Sequence, residues 1–257
     1  MLSFLKNIFA RIWAVWGITW FVVTMFIILI PVLITGLFKE PRKSDWFWRV
    51  SNFWMQLFLP FVGCPLRVTG KQHFTRNKQF VVVCNHNSLL DVPLSSPFIP
   101  GANRTIAKKD FMKVPFFNLI YKRGSVLVDR KSEASRRESF TKMKEALASG
   151  FHVCIYPEGT RNKSGNPLQP FKDGAFRLAV ETGTPVIPAV MFNTAKALPA
   201  TKSFYFLPRK LYMHFLPPVF PGEMSATELN KKVFGIMEAF YTAHRVQPKH
   251  LAVNQPL

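Results

Sequence analysis

The 257 residues suffice for one well-packed catalytic domain with a smaller appendage, and Lys and Arg outnumber Asp and Glu 34 to 14, a net charge of +20. That excess favours anionic partners (phospholipid headgroups, nucleic acid, acidic carrier proteins, phosphorylated metabolites) without choosing among them. Three widely spaced cysteines, Cys64, Cys84 and Cys154, form no C-x-x-C pair and no cluster at zinc spacing, which speaks against a structural metal and fits a reducing compartment.

The first predicted element is apolar. From Ile12 to Phe38 no charged residue occurs over 27 positions, while Lys6 and Arg11 precede the run and Lys39, Arg42 and Lys43 follow it. A cleavable signal has an apolar core of about 7–15 residues, so this run is too long to be one. As a single helix it would reach roughly 40 Å against a hydrocarbon core of about 30 Å, so it must tilt or break at Pro31. Asp45 to Gly63 is aromatic but interrupted by Arg49, Asn52 and Gln56, with Trp46, Val50, Phe53 and Leu57 at helical spacing. Such a helix suits the headgroup boundary, where tryptophans settle. Residues 1–63 are therefore expected to be membrane-anchoring helices, either crossing the bilayer or dipping into one leaflet as a two-helix hairpin. Basic residues at both ends leave the orientation unassigned.

From residue 64 to 257 short apolar runs alternate with helical patterns, the signature of an α/β domain. The expected fold is a mostly parallel or mixed central sheet flanked by helices, behind an N-terminal membrane-embedded helical segment. Residues 65–70, 79–84, 125–129, 151–157 and 185–192 read as strands. Residues 111–124 read as one helix closed by Gly124, residues 133–150 as an amphipathic helix stopped by Ser149-Gly150, and residues 173–183 as a helix ending at Gly183. "LYMHFLPPV" (211–219) reads as a last edge strand and residues 225–246 as a capped terminal helix.

At the end of the second strand stands "CNHNSLLDVP", which sets His86 and Asp91 five residues apart. A carboxylate that fixes an imidazole's tautomer and stabilises the imidazolium turns it into an effective general base. Five residues cannot align the two on one helix face, but His86 in the turn and Asp91 in the following helix, pointing back, can meet. The alternative is a helix N-cap by Asn85, Asn87 or Ser88 with His86 as a bystander. Three further stretches bear on the choice. "GSVLVDR" ends a strand in Arg130, "YPEGTR" follows another with Glu158 and Arg161 around Gly159, and "PVIPA" closes the set. Strand ends of a parallel sheet converge on one crevice. One base and two guanidiniums there suit a hydroxyl nucleophile tethered to a phosphate, whose oxygens match arginine's planar fork.

"NHNSLLD", "GSVLVDR", "YPEGTR" and "VIPA" stand in the order and at about the separations of the four blocks of the glycerolipid acyltransferase family, which the chain resembles from roughly Arg67 to Pro218. It looks most like the bacterial branch acting on 1-acyl-glycerol-3-phosphate (lysophosphatidate). The resemblance implies transfer of a fatty acyl group from acyl-coenzyme A or acyl carrier protein to a free hydroxyl of a lysolipid, with no cofactor and no metal. It implies His86 and Asp91 as catalytic residues, Arg130 and Arg161 as phosphate ligands, and Glu158, Gly159 and Thr160 as shaping the acceptor site. Lys108, with Lys109 as the alternative, would also hold phosphate. It further implies membrane attachment with the catalytic part on the cytoplasmic face, the inner membrane in a bacterium. A thiol leaves readily, so a general base acting on the acceptor hydroxyl suffices without an acyl-enzyme.

Other readings compete. A nucleic-acid binder would need a recognition motif that is absent, and needs neither the His/Asp pair nor an anchor. A serine hydrolase using Ser88 lacks the G-x-S-x-G elbow. An acyltransferase using glycerol-3-phosphate or another lysolipid, and a non-catalytic anionic-lipid-binding protein, remain as alternatives. His73, His152, His214 and His244 have no motif context and read as structural or surface residues.

Overall fold

The computed structural model describes residues 1–129 and 131–245. The chain order is α1 (Leu2–Thr35), α2 (Arg42–Phe61), β1 (Leu66–Thr69), β2 (Val81–Cys84), α3 (Asp91–Phe98), β3 (Asn103–Lys108), α4 (Phe117–Gly124) and β4 (Ser125–Val128). It continues with α5 (Glu133–Ala148), β5 (His152–Ile155), α6 (Gly174–Thr182), β6 (Val186–Phe192), α7 (Thr194–Ala197), β7 (Leu211–Phe215) and α8 (Ala226–His244).

The strands form one sheet in the order β1-β7-β6-β2-β5-β3-β4. All pairings are parallel except β6 with β7. The α/β expectation of a mixed sheet between helices therefore holds. Alternation of side chains along a strand sends Val81 and Val83 to one face of β2 and Val82 and Cys84 to the other, so a four-residue apolar run feeds two cores. One core holds Val82, Cys84, Cys154 and Met191 against α2, α3 and the inner side of α1. The other packs Val81, Val83 and Val153 against α5, α6 and α8. Caps fix the helix starts. Ser132 accepts from the Ser135 N–H, and Ser225 with Glu228 forms a reciprocal capping box ahead of α8.

Helix α1 runs unbroken through Pro31 for a further turn and is long and apolar enough to cross a membrane by length and composition. Its inner side is tied down: the Trp13 indole donates to the Val62 carbonyl, and Trp54 of α2 donates to the Thr24 hydroxyl. Its outer side leaves Ile12, Val15, Ile18, Phe26, Ile27 and Ile30 exposed, and Trp46, Phe53 and Leu57 of α2 are exposed as well.

Two expectations need correction, and one strand lies outside them. The strand at 211–215 is not an edge: β1, which enters from the far end of the sequence, lies outside it. Residues 111–124 are not one helix, because Pro115 forces Val114 into extended backbone and splits a 3-10 turn, Lys109–Lys113, from α4. Strand β3 was not foreseen, and it carries the alternating pattern of an element buried on one side only.

Candidate active site

Strand β2 delivers the chain to the edge of the sheet, where three sets of hydrogen bonds fix it. The Asn85 amide pairs with the backbone of β6, donating to the Met191 carbonyl at 3.0 Å and accepting the Met191 N–H at 2.7 Å. One residue on, the His86 N–H donates to Glu158 Oε1 at 2.7 Å, and the His86 carbonyl accepts the Asn162 N–H at 2.6 Å. The exit of β2 is thus laced on both sides of His86 to the loop that follows β5. Finally, Asp91 in the first turn of α3 points back, and its Oδ2 accepts from His86 Nδ1 at 2.9 Å and from the N–H groups of Asn87 and Ser88 at 2.6 and 2.7 Å.

Asp91 is fully buried, and its Oδ1 has no hydrogen-bond partner among the described residues. With an acceptor-only carboxylate facing it, Nδ1 is assigned the proton, which leaves the Nε2 lone pair free. The imidazole is 15% exposed, so Nε2 is within reach of a substrate. The N-cap alternative is not what the loop adopts: α3 begins after Leu90 with no side-chain cap. Ser88 is buried, donates its hydroxyl to the Leu198 carbonyl at 2.7 Å and accepts from the Leu90 N–H, so it is not aimed as a nucleophile.

Glu158 is buried, and each of its oxygens accepts a backbone N–H, Oε1 from His86 and Oε2 from Gln169 at 3.1 Å. Burial pushes its carboxyl up to about 7, against the pull of those two N–H groups and with a further push from Asp91. Gly159 takes φ +73°, the left-handed region that glycine adopts without strain, and a Cβ there would come within 3.1 Å of the Lys172 side chain. Thr160 is exposed, with its hydroxyl 3.4 Å from Gln169 Oε1. Arg161 is half-buried beside Asn162 and has no hydrogen bond or ion pair among the described residues.

Because β2, β5 and β3 are neighbours running in one direction, His86, the Glu158–Arg161 turn and Lys108 leave the same edge of the sheet. Lys108 pairs with Asp110, and Lys109 opens the exposed turn beyond it. Arg130 lies outside the described residues. Lys172, which sequence reasoning passed over, lies across Gly159 while its N–H donates to the Pro157 carbonyl at 2.9 Å. Its only sequence signal was a cation in "PFKDG" just before a helix, indistinguishable from surface charge. His152 and His214 are buried and pushed down to about 4 by desolvation, so they stay neutral as parts of the core.

A family model described as Acyltransferase matches residues 65–192, about half of the chain. The 1-acyl-sn-glycerol-3-phosphate acyltransferase of Cocos nucifera is 26% identical over 215 residues, 83% of this chain and 67% of its own length. The alpha enzyme of that name from Homo sapiens is 33% identical over 159 residues, 61% of this chain and 56% of its own length, so the match spans little more than half of the human protein. The crystal structure of the 1-acyl-sn-glycerophosphate acyltransferase from Thermotoga maritima superposes with a TM-score of 0.77 at 24% identity, over 93% of this chain and 96% of that one, and shares the fold. The matched residues hold the His86 and Asp91 turn, the Glu158 loop and the strands that bring them together, and by them the chain belongs to the acyltransferase family.

Proposed function

We propose that the protein is a membrane-associated acyltransferase that moves a fatty acyl group from acyl-coenzyme A or acyl carrier protein to the free hydroxyl of lysophosphatidate, giving phosphatidate. The observation that carries this reading is the 2.9 Å bond between His86 Nδ1 and Asp91 Oδ2, which leaves Nε2 open at the edge of the sheet. Nε2 takes the proton of the acceptor hydroxyl as its oxygen attacks the thioester carbonyl. Asp91 offsets the charge of the imidazolium so formed. The tetrahedral intermediate then collapses, the carbon–sulfur bond breaks, and the departing thiolate recovers the proton from Nε2. No bond to the protein forms at any step.

Arg161, whose guanidinium has no hydrogen bond or ion pair among the described residues, supplies a fork for the acceptor's phosphate, and Lys172 and Lys108, the latter beside Asp110, add cations at the same end of the sheet. Residues 1–63 act as the anchor and 64–257 as the catalytic part, although both contribute to one core. The exposed apolar side of α1, continued by Trp46, Phe53 and Leu57, supports burial of that side in lipid. The relatives' names support lysophosphatidate as the acceptor.

An acyl-transfer assay with purified protein tests the reading, crossing lysophosphatidate and glycerol-3-phosphate with acyl-coenzyme A and acyl carrier protein. Phosphatidate formed from lysophosphatidate is the expected product, and transfer to glycerol-3-phosphate alone would replace the acceptor. The membrane part is tested separately by carbonate washing, which should leave the protein in the membrane pellet; release would rule out integral attachment.

A further inference from the structure

The aromatic residue that opens "YPEGTR" has no part in the mechanism so far, yet it touches His86 and is bonded to the helix that carries Asp91. The Tyr156 ring lies against the His86 imidazole, with centroids 4.5 Å apart and planes at 34°. At its other end, the Tyr156 hydroxyl is 2.6 Å from Ser95 Oγ. Ser95 is fully buried one turn after Asp91, on the same side of α3. Below it the contacts continue into the sheet, to Cys154 Sγ at 3.7 Å from Ser95 Oγ and on to Cys84 Sγ at 3.8 Å. Tyr156 is itself buried at the exit of β5, two residues before the glutamate that accepts the His86 N–H.

We propose that Tyr156 is a positioning residue for acyl transfer: its ring is the floor on which the His86 imidazole rests, and its hydroxyl locks that floor to the helix that carries Asp91. A histidine side chain rotates about two torsions, and the bond to Asp91 alone restrains one point of the ring. A flat surface against one face removes the remaining swing, so that Nε2 is held toward the substrate. The face of an aromatic ring is also electron-rich, which favours the imidazolium over the neutral imidazole when the pair is shielded from water. The effect therefore falls on the step in which charge develops, not on substrate binding. Burial pushes the Tyr156 hydroxyl well up, so it stays neutral in its bond with Ser95.

This inference rests on His86 acting as the base, and its test reads His86 both with and without turnover. Tyr156→Phe keeps the ring and loses the lock, and should retain kcat within about fivefold, the worth of one neutral hydrogen bond. Tyr156→Leu removes the ring and should lower kcat about tenfold or more, with acceptor KM within about twofold. In the substrate-free protein, proton NMR should show the low-field His86 Nδ1–H signal in wild type and Tyr156→Phe but broadened by exchange in Tyr156→Leu. The wild-type His86 ring protons, assigned by their loss in His86→Ala, should be displaced upfield by the tyrosine ring current. Unchanged kcat with an unchanged Nδ1–H signal in Tyr156→Leu would overturn the proposal. If neither substituted protein folds, the wild-type ring protons decide it, and an undisplaced signal overturns it. If the NMR signatures appear while no acyl transfer is found with any donor, the reaction is misassigned and the positioning role stands.

Discussion

Asp91→Asn tests the centre of the site because it keeps the shape and removes the charge. If the amide oxygen replaces Oδ2, the bonds from His86 Nδ1, Asn87 N–H and Ser88 N–H all survive as neutral bonds. A hydrogen bond to a charged group contributes about 1.5–3 kcal/mol and a neutral one about 0.5–1.5, so the three together lose about 3 kcal/mol. The amide NH₂ then occupies the place of Oδ1, which is buried with no partner among the described residues, and an unsatisfied buried donor costs about 1–3 kcal/mol more. Flipping the amide is worse, since it sets NH₂ against two backbone N–H groups. A destabilisation of about 5 kcal/mol is a large share of a typical domain's stability, so the variant must be compared per folded molecule, at low temperature, beside its thermal unfolding curve. Catalysis should suffer separately: the imidazolium loses the charge that offsets it, and turnover should fall at least a hundredfold, with acceptor KM little changed. A folded variant with turnover within threefold of wild type would refute the reasoning. So would full activity joined to a large fall in stability, which would make Asp91 a structural residue only.

Glu158→Gln probes the clamp behind His86. The folded protein holds the Glu158 proton up to about 7 against an ordinary 4.5, so its contribution to stability is complete below the lower value and is lost as pH rises through the higher one. That loss amounts to about 3 kcal/mol, and Gln abolishes it. Wild type should therefore lose Tm relative to the variant between pH 5 and pH 8; parallel Tm curves would contradict the placement of this carboxyl. Arg161→Ala should raise the KM of a phosphate-bearing acceptor roughly 10- to 100-fold, the worth of one charge-assisted contact. An equal effect on a monoacylglycerol acceptor, which has no phosphate, would remove Arg161 from phosphate binding.

Much of the architecture was legible because single strands carried the whole signal. The runs around 81–84, 152–155 and 186–192 are buried on both faces and read as strands from composition alone. β3 escaped because "NRTIAK" mixes polar and apolar residues over only six positions, and its burial alternates instead of running on. The place of β7 was illegible for another reason: its outer neighbour β1 lies some 145 residues upstream in register, with Thr69 opposite His214, and chain order says nothing about such pairings. In the site, the five-residue spacing of His86 and Asp91 was visible, and the structure brings the pair together. What could not be read was the support. The Asn85 bridge to Met191, the bond from the His86 N–H to Glu158 and the contact of Tyr156 with His86 all join residues at least 70 positions apart. The role of Lys172 depends on a glycine turn whose shape only the fold reveals.

The most direct test of the account is His86→Ala, assayed for acyl transfer to lysophosphatidate beside an independent measurement of lysophosphatidate binding. With Asp91, Glu158 and Arg161 left in place, turnover should fall at least a hundredfold while the Kd for the acceptor stays within about twofold. Turnover near the wild-type value would contradict the account, because no general base would then be needed at that position.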